Sequence, residues 1–378
     1  MVTKLKDKVG NRGVYMEKGI DWKNVLKLSG AYMAYLIGSG FATGQEVMQF
    51  FASYGKAGIA GIFLSALLFC SLGVTLMTRG YELQLAQPGD IFKLYCGKII
   101  GRLVEYFTLL FLFSIVVIMI SGTGAIANEH FGTPTYVGLL GMGIVTMITV
   151  IFGLKKLVDI IGAVGPVIVV LTIAICLVVF LKNIGSLPSL DTLPQAAKDL
   201  QPAGHWWQSS ILFFCYNILA GTIFFTQLGQ QSGSRKEAYA AGICGGAGLM
   251  AAVLAMVLAM FAHYPNVLKL EVPVLYLGDT ISPWVATIFS ICILLGIYST
   301  TAPMYWLIKN EFMRFIPSKF GVLITVLLGI VFMAGGTLPF GELVAMIYPF
   351  VGYVGLALVI VIFARTIWSK FKTTNSKI

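Results

Sequence analysis

The chain has 378 residues, 58% of them hydrophobic and only 11% charged, with a formal net charge of +10. A soluble domain needs more surface charge, so this composition excludes one and points to a polytopic membrane protein. The basic residues lie mostly between apolar blocks and at the ends, which fits orientation in a bilayer better than a nucleic-acid surface.

Residues 1–23 are polar and contain no apolar core of a cleaved signal, so they are expected to form a cytoplasmic N-terminal segment ahead of a retained first span. Each crossing needs roughly 20 apolar residues. Ten candidates follow: about 24–53, 57–80, 99–128, 134–153, 156–182, 206–230, 237–263, 282–308, 320–337 and 341–367, with 368–378 as a cytoplasmic tail. Between the seventh and eighth, "YPNVLKLEVPVLYLGDTISP" is too polar and Pro-rich to cross and reads as an external loop with one short helix. With both ends inside, only Lys56, Lys182, Lys198 and Lys269 of the 26 Lys and Arg fall outside, as the positive-inside rule requires.

The expected fold is therefore an all-α integral membrane protein of the cell membrane, multi-pass. Five spans (24–182) are joined by an extracytoplasmic linker (183–205) to five more (206–367). An odd number of spans per half forces the halves into opposite orientations, a plan used by transporters. The second pointer in that plan is a break in corresponding helices. The first span carries "IGSGFATGQE", with glycines at 38, 40 and 44, and the sixth carries "CYNILAGTIFFTQLGQQ" with Asn217, Gly221, Thr222 and Gln227. Helices 1 and 6 are thus both expected to be discontinuous, since such glycines cost roughly 1 kcal/mol each relative to Ala in a helix. The glycines of "AGICGGAG" (241–248) have no polar companions and read as packing residues.

"IGSGFATG" resembles the unwound Gly-Ser-Gly segment of the amino acid, polyamine and organocation transporter superfamily, and "GSGFATGQEVMQFFASYG" resembles the YkvI-type bacterial permeases within it. The resemblance implies the five-plus-five inverted-repeat fold and a solute held between helices 1 and 6, against helices 3 and 8. It also implies that Gly38, Ser39 and Gly40 meet a substrate carboxylate, and that the Leu36 carbonyl accepts from its ammonium. Asn217, Ile218 and Gly221 would be the contacts from the sixth span. In "LLGIYSTTAPMYW", Gly296, Ser299 and Thr300 fit the spacing of sodium-coupled members, which with the carbonyls of Ala34 and Ile37 would make a sodium site. The plain alternative is that these hydroxyls bond back to carbonyls one turn earlier. Proton-coupled relatives place a lysine in the fifth span; here none occurs between Lys156 and Lys182, which favours sodium.

Glu46 has three open roles: a proton carrier in coupling, a contact for a substrate amine, or a buried group bonded to Gln45 and other neighbours. Of the aromatics near these motifs, adjacency selects Phe41 and Tyr298 as site candidates. The six cysteines are scattered without CxxC spacing, and the three histidines stand apart, so no disulfide framework, metal cluster or catalytic constellation is expected. The expected function is secondary transport of a small zwitterionic, amino-acid-like solute, coupled to sodium in preference to a proton, by alternating access. No cofactor other than Na+, no enzymatic activity and no nucleic-acid partner are expected; lipid surrounds the chain, and the sequence is silent on oligomeric state. The rivals are an ion channel or ion-handling protein and a sensor that binds solute without moving it.

Overall fold

A computed structural model describes residues 19–37, 39–85, 89–153, 158–186, 193–264 and 266–375. Gly38, most of the N-terminal segment, residues 187–192 of the linker and the last three residues of the tail lie outside these. The first half contains α1 (Trp22–Leu36), α2 (Ser39–Thr43), α3 (Gln45–Phe50), α4 (Lys56–Leu83), α5 (Asp90–Cys96), α6 (Lys98–Glu129), α7 (Thr135–Phe152) and α8 (Val158–Asn183). After α9 (Gln195–Asp199) in the linker come α10 (Trp206–Gln230), α11 (Arg235–Ala262), α12 (Pro273–Asp279), α13 (Pro283–Met313), α14 (Gly321–Gly335) and α15 (Phe340–Asn375).

Among the described residues, eight stretches, those of α4, α6, α7, α10, α11, α13, α14 and α15, are long and apolar enough to cross a bilayer. The two remaining spans expected from the sequence fall on the pieces α1–α3 and on α8, of which Val167–Asn183 is a shorter apolar helix. The short external helix is α12, in the expected loop. Helix α15 runs on to Asn375, into the stretch expected to be a free tail, because no Gly or Pro interrupts it there.

The contacts between helices come in pairs that relate the halves. Helix α4 packs on α10 as α11 packs on α1; α10 meets α15 as α1 meets α8; and α6 meets α7 as α13 meets α14. Likewise α13 lies on α8 as α6 lies on α15, and the short α5 sits on α6 as α12 sits on α13. This is the two-repeat plan expected from the span count. Large apolar side chains such as Leu67, Leu103, Leu110, Val170 and Ile288 face outward, more than half exposed, as a lipid-facing surface requires. The expected packing role of the 241–248 glycines holds: Gly242 and Gly246 lie on the backbone of α4, and Gly245 lies against the Tyr32 ring.

Three helix starts are fixed by side-chain caps. Asp21 accepts from the N–H groups of Lys23 and Asn24 to cap α1; Ser234 caps α11; Ser282 caps α13, with Pro283 at its first position.

Candidate functional site

The first span is broken twice. Helix α1 ends at Leu36, with Ile37 leaving the helical region at ψ 79°. Helices α2 and α3 are then separated by Gly44 at φ 89°, a left-handed conformation that glycine adopts without a Cβ penalty. A side chain at Gly44 would also collide, since a Cβ there would stand 2.7 Å from both Met260 and Val274, the latter on α12.

The sixth span is not broken: α10 is continuous from Trp206 to Gln230, which corrects the expected discontinuity there. Three polar side chains of its central stretch bond back within the helix. Asn217 donates Nδ2 to the Phe213 carbonyl at 2.9 Å, Thr222 donates to Ile218 at 2.6 Å, and Thr226 donates to Thr222 at 2.8 Å. Gly221 alone is too small a penalty to open a buried helix.

Where the broken span meets α6, α10, α13 and α15, a cavity of about 50 Å³ remains. Tyr35, Leu36 and Glu46 line it from the first span, and Tyr216, Asn217 and Ala220 from α10. Phe111, Thr300 and Tyr348 reach it from α6, α13 and α15. A water's share of liquid volume is about 30 Å³, so the cavity holds a water or two and must widen to take a larger solute.

Among the described residues, Glu46 is the one acidic group on this lining, and it is only 4% exposed. Its Oε2 accepts a hydrogen bond from the Tyr216 hydroxyl at 2.5 Å, and the Tyr348 hydroxyl is a further partner. The rings of Tyr216 and Tyr348 stack at 4.6 Å, and Phe111 meets both edge-on. The other carboxyl oxygen lies against Gly40: a Cβ on Gly40 would collide with it. Glu46 is therefore bonded to α10 and not to Gln45, whose own Oε1 is buried without a partner among the described residues.

On one side the cavity is flanked by stacked rings, Tyr32 on Phe225 at 4.0 Å and Tyr35 on Phe224 at 4.1 Å, with the Tyr35 hydroxyl bonded to the Ala220 carbonyl. Further along that side, Glu237 of α11 accepts from the Asp21 N–H and the Asn24 side chain, tying down the start of α1. On the other side α12 covers α2. The Glu129 carboxylate takes the N–H groups of Glu271 and Val272, and Glu271 takes the Gly341 N–H at 3.1 Å.

The structure thus gathers Leu36, Glu46, Asn217 and Thr300 on one cavity and leaves other candidates off its lining. Phe41 and Ile218 are buried elsewhere in the core, and a Cβ at Gly221 would meet the Phe225 ring. Tyr298 turns to α7, where its hydroxyl lies 2.7 Å from Thr149 Oγ1. Gly38 is outside the described residues, and only the backbone of Ser39 is described, within α2. Of the expected sodium ligands, Ser299 and Thr300 both donate to the Gly296 carbonyl, at 2.7 and 3.0 Å, which is the plain back-bonding geometry. Gly296 also lets Ile168 of α8 approach. Ile37 follows Leu36 at the end of α1, and Ala34 precedes it by two residues, so the α1 terminus and Thr300 face one space.

Sequence reasoning weighed Tyr216 among the aromatics near the motifs but selected Phe41 and Tyr298 instead, and it did not reach Tyr348 or Phe111. Tyr216 stands next to Asn217 and was within reach of the motif. Nothing in the sequence around Tyr348 or Phe111 ties them to Glu46.

These features define an α-helical membrane protein built as two inverted five-helix repeats around a broken leading helix. The comparisons agree. No family model matches the chain. It is similar to the membrane protein YkvI of Bacillus subtilis strain 168, 22% identical over 334 residues, covering 88% of this chain and 93% of that one. It is also similar to YyaD of the same organism, 24% identical over 355 residues, covering 93% and 99%. Among solved structures, the inward-facing conformation of Mhp1 superposes with a TM-score of 0.56 at 16% identity, covering 89% of this chain and 75% of that one. MhsT in complex with L-phenylalanine gives 0.53 at 15%, covering 89% and 98%. The Eremococcus coleocola manganese transporter gives 0.54 at 18%, covering 93% and 80%. The chain has the fold of these transporters.

Proposed function

We propose that this protein is a secondary active transporter of a small amino-acid-like solute, working by alternating access and coupled to a cation. One observation carries the reading: a span broken at Ile37 and at Gly44 opens onto a buried cavity lined by four other helices, three of which bring polar groups to it. Irregular backbone at membrane depth is tolerated only where protein buries it or it lines a cavity, and transporters use such breaks for their solutes. The cavity is flanked on one side by stacked rings and on the other by α12, the arrangement of a site reached from either face in turn.

The neighbours differ in what their names say they handle, L-phenylalanine for one and manganese for another. No group of three or more His, Cys, Asp or Glu side chains is gathered among the described residues, which supports an organic solute. Sodium is the favoured coupling ion. Ala34 and Ile37 would offer carbonyls, while Ser299 and Thr300 keep lone pairs free after donating to Gly296, a set of hard oxygens suited to a hard cation. The lysine and arginine distribution supports a cytoplasmic position for both termini.

The test is uptake in proteoliposomes. Labelled amino acids are presented under a sodium gradient and, separately, under a pH gradient, with wild type and Ser299→Ala. The expected result is saturable, sodium-stimulated uptake that Ser299→Ala weakens; folded protein that accumulates nothing under either gradient overturns the reading.

A further inference from the structure

We propose that the solute is anchored by its positive charge, with Glu46 as its counter-ion and the Tyr216, Tyr348 and Phe111 rings around it, so that an amine without a carboxylate is bound. This rests on the central cavity being the solute site, and it departs from the carboxylate-first anchoring that the Gly-Ser-Gly resemblance implies.

Three observations carry it. First, among the described residues the lining holds one acidic side chain, Glu46, and no Lys, Arg or His. A carboxylate arriving there would find no cation and would face a like charge in a poorly screened space, whereas an ammonium would find an opposite one. Second, the carboxyl of Glu46 is folded back against Gly40, and its bulk is what forbids a side chain at that position. The space beside Gly40, where a substrate carboxylate would sit, is already filled by a carboxyl belonging to the protein. Third, the aromatic rings are grouped on this acid. Tyr216 and Tyr348 stack on one another, Phe111 closes the third side, and Tyr216 holds Oε2 in place. Ring faces attract an ammonium, more strongly when water is excluded, and a carboxylate gains nothing from them.

The groups facing Glu46 are hydroxyls and rings, so the site supplies acceptors and π-faces in excess of charged donors. A solute donating two or three N–H bonds complements that lining. Tyr216 is then a positioning residue, fixing the carboxyl through its hydroxyl while its ring remains against the solute head.

The experiment compares matched triples: alanine, ethylamine and propionate; leucine, 3-methylbutylamine and 4-methylpentanoate; phenylalanine, phenethylamine and 3-phenylpropanoate. Thermal stabilisation of the purified full chain and competition against uptake of any transported amino acid are both read, with wild type, Glu46→Gln and Tyr216→Phe. Amines and amino acids are expected to stabilise and compete, while acids do neither. Glu46→Gln is expected to weaken the amine response by at least about 30-fold. Tyr216→Phe keeps the ring and is expected to weaken it by about tenfold. Acids that bind where amines do not, an amine response unchanged in folded Glu46→Gln, or no response to any member of the triples overturns the proposal. Uptake that continues but ignores the amine sinks this inference and leaves transport standing. Amine binding that depends on Glu46 but is accompanied by no uptake sinks transport and leaves this inference standing.

Discussion

The two helices that lead the repeats, α1–α3 and α10, occupy corresponding places and carry comparable polar residues, yet one is broken and the other is not. In the middle of α10, Asn217, Thr222 and Thr226 have turned back on the helix, each bonding the carbonyl four residues earlier. In the first span Thr43 bonds the Gly40 carbonyl three residues back, and the chain then passes through a left-handed glycine at 44. The difference teaches that polar residues do not break a buried helix. What breaks the first span at Gly44 is a glycine held in the left-handed region, where Val274 and Met260 also occupy the place of a side chain.

The most damaging way to test that contrast is Gly44→Ala. A Cβ there adds left-handed strain and two collisions, so stability is expected to fall by about 2–5 kcal/mol, read as a lowered thermal midpoint with transport lost. Gly40→Ala comes next. It must displace the Glu46 carboxyl, so the amine response is expected to fall along with the bond to Tyr216, at a stability cost of about 1–3 kcal/mol. A Gly40→Ala protein with full amine binding would show that the carboxyl does not work from its place beside the hinge. Ser299→Ala is milder: it removes one hydroxyl bonded to Gly296, and sodium stimulation of uptake should weaken by several-fold while stability changes by less than about 1 kcal/mol. Thr222→Ala in the unbroken helix should do least. It loses only a bond to the Ile218 carbonyl, a bond of a kind that stabilises little, and transport should remain near wild type. If Thr222→Ala proved as damaging as Gly40→Ala, the two helices would not differ in the way described.

Much of the fold was legible in the chain, because spans announce themselves by apolar length and basic residues mark the inner loops. The break at 37–44 was legible for the same local reason: three glycines and an acid in seven to ten residues have few uses inside a bilayer. The continuity of α10 was not. Whether Asn217 and Gly221 open a helix depends on partners that only the fold supplies. Glu46 could be singled out but not assigned, since its meaning comes from Tyr216, 170 residues further on, and from Tyr348. Tyr298 illustrates the opposite error. Its neighbourhood to Ser299 and Thr300 suggested the site, but one residue along a helix turns a side chain by about 100°, and it faces Thr149 instead.

The central claim is that the cavity beside the broken helix is a solute site opened to each face in turn. It is tested most directly by placing one cysteine on its lining, Ala220→Cys, in a variant whose six native cysteines are replaced. Labelling with a membrane-impermeant thiol reagent is then measured from each side of oriented vesicles, with and without a transported solute. The account predicts labelling from both sides and protection by the solute. Labelling from one side only, or from both without protection, would contradict it.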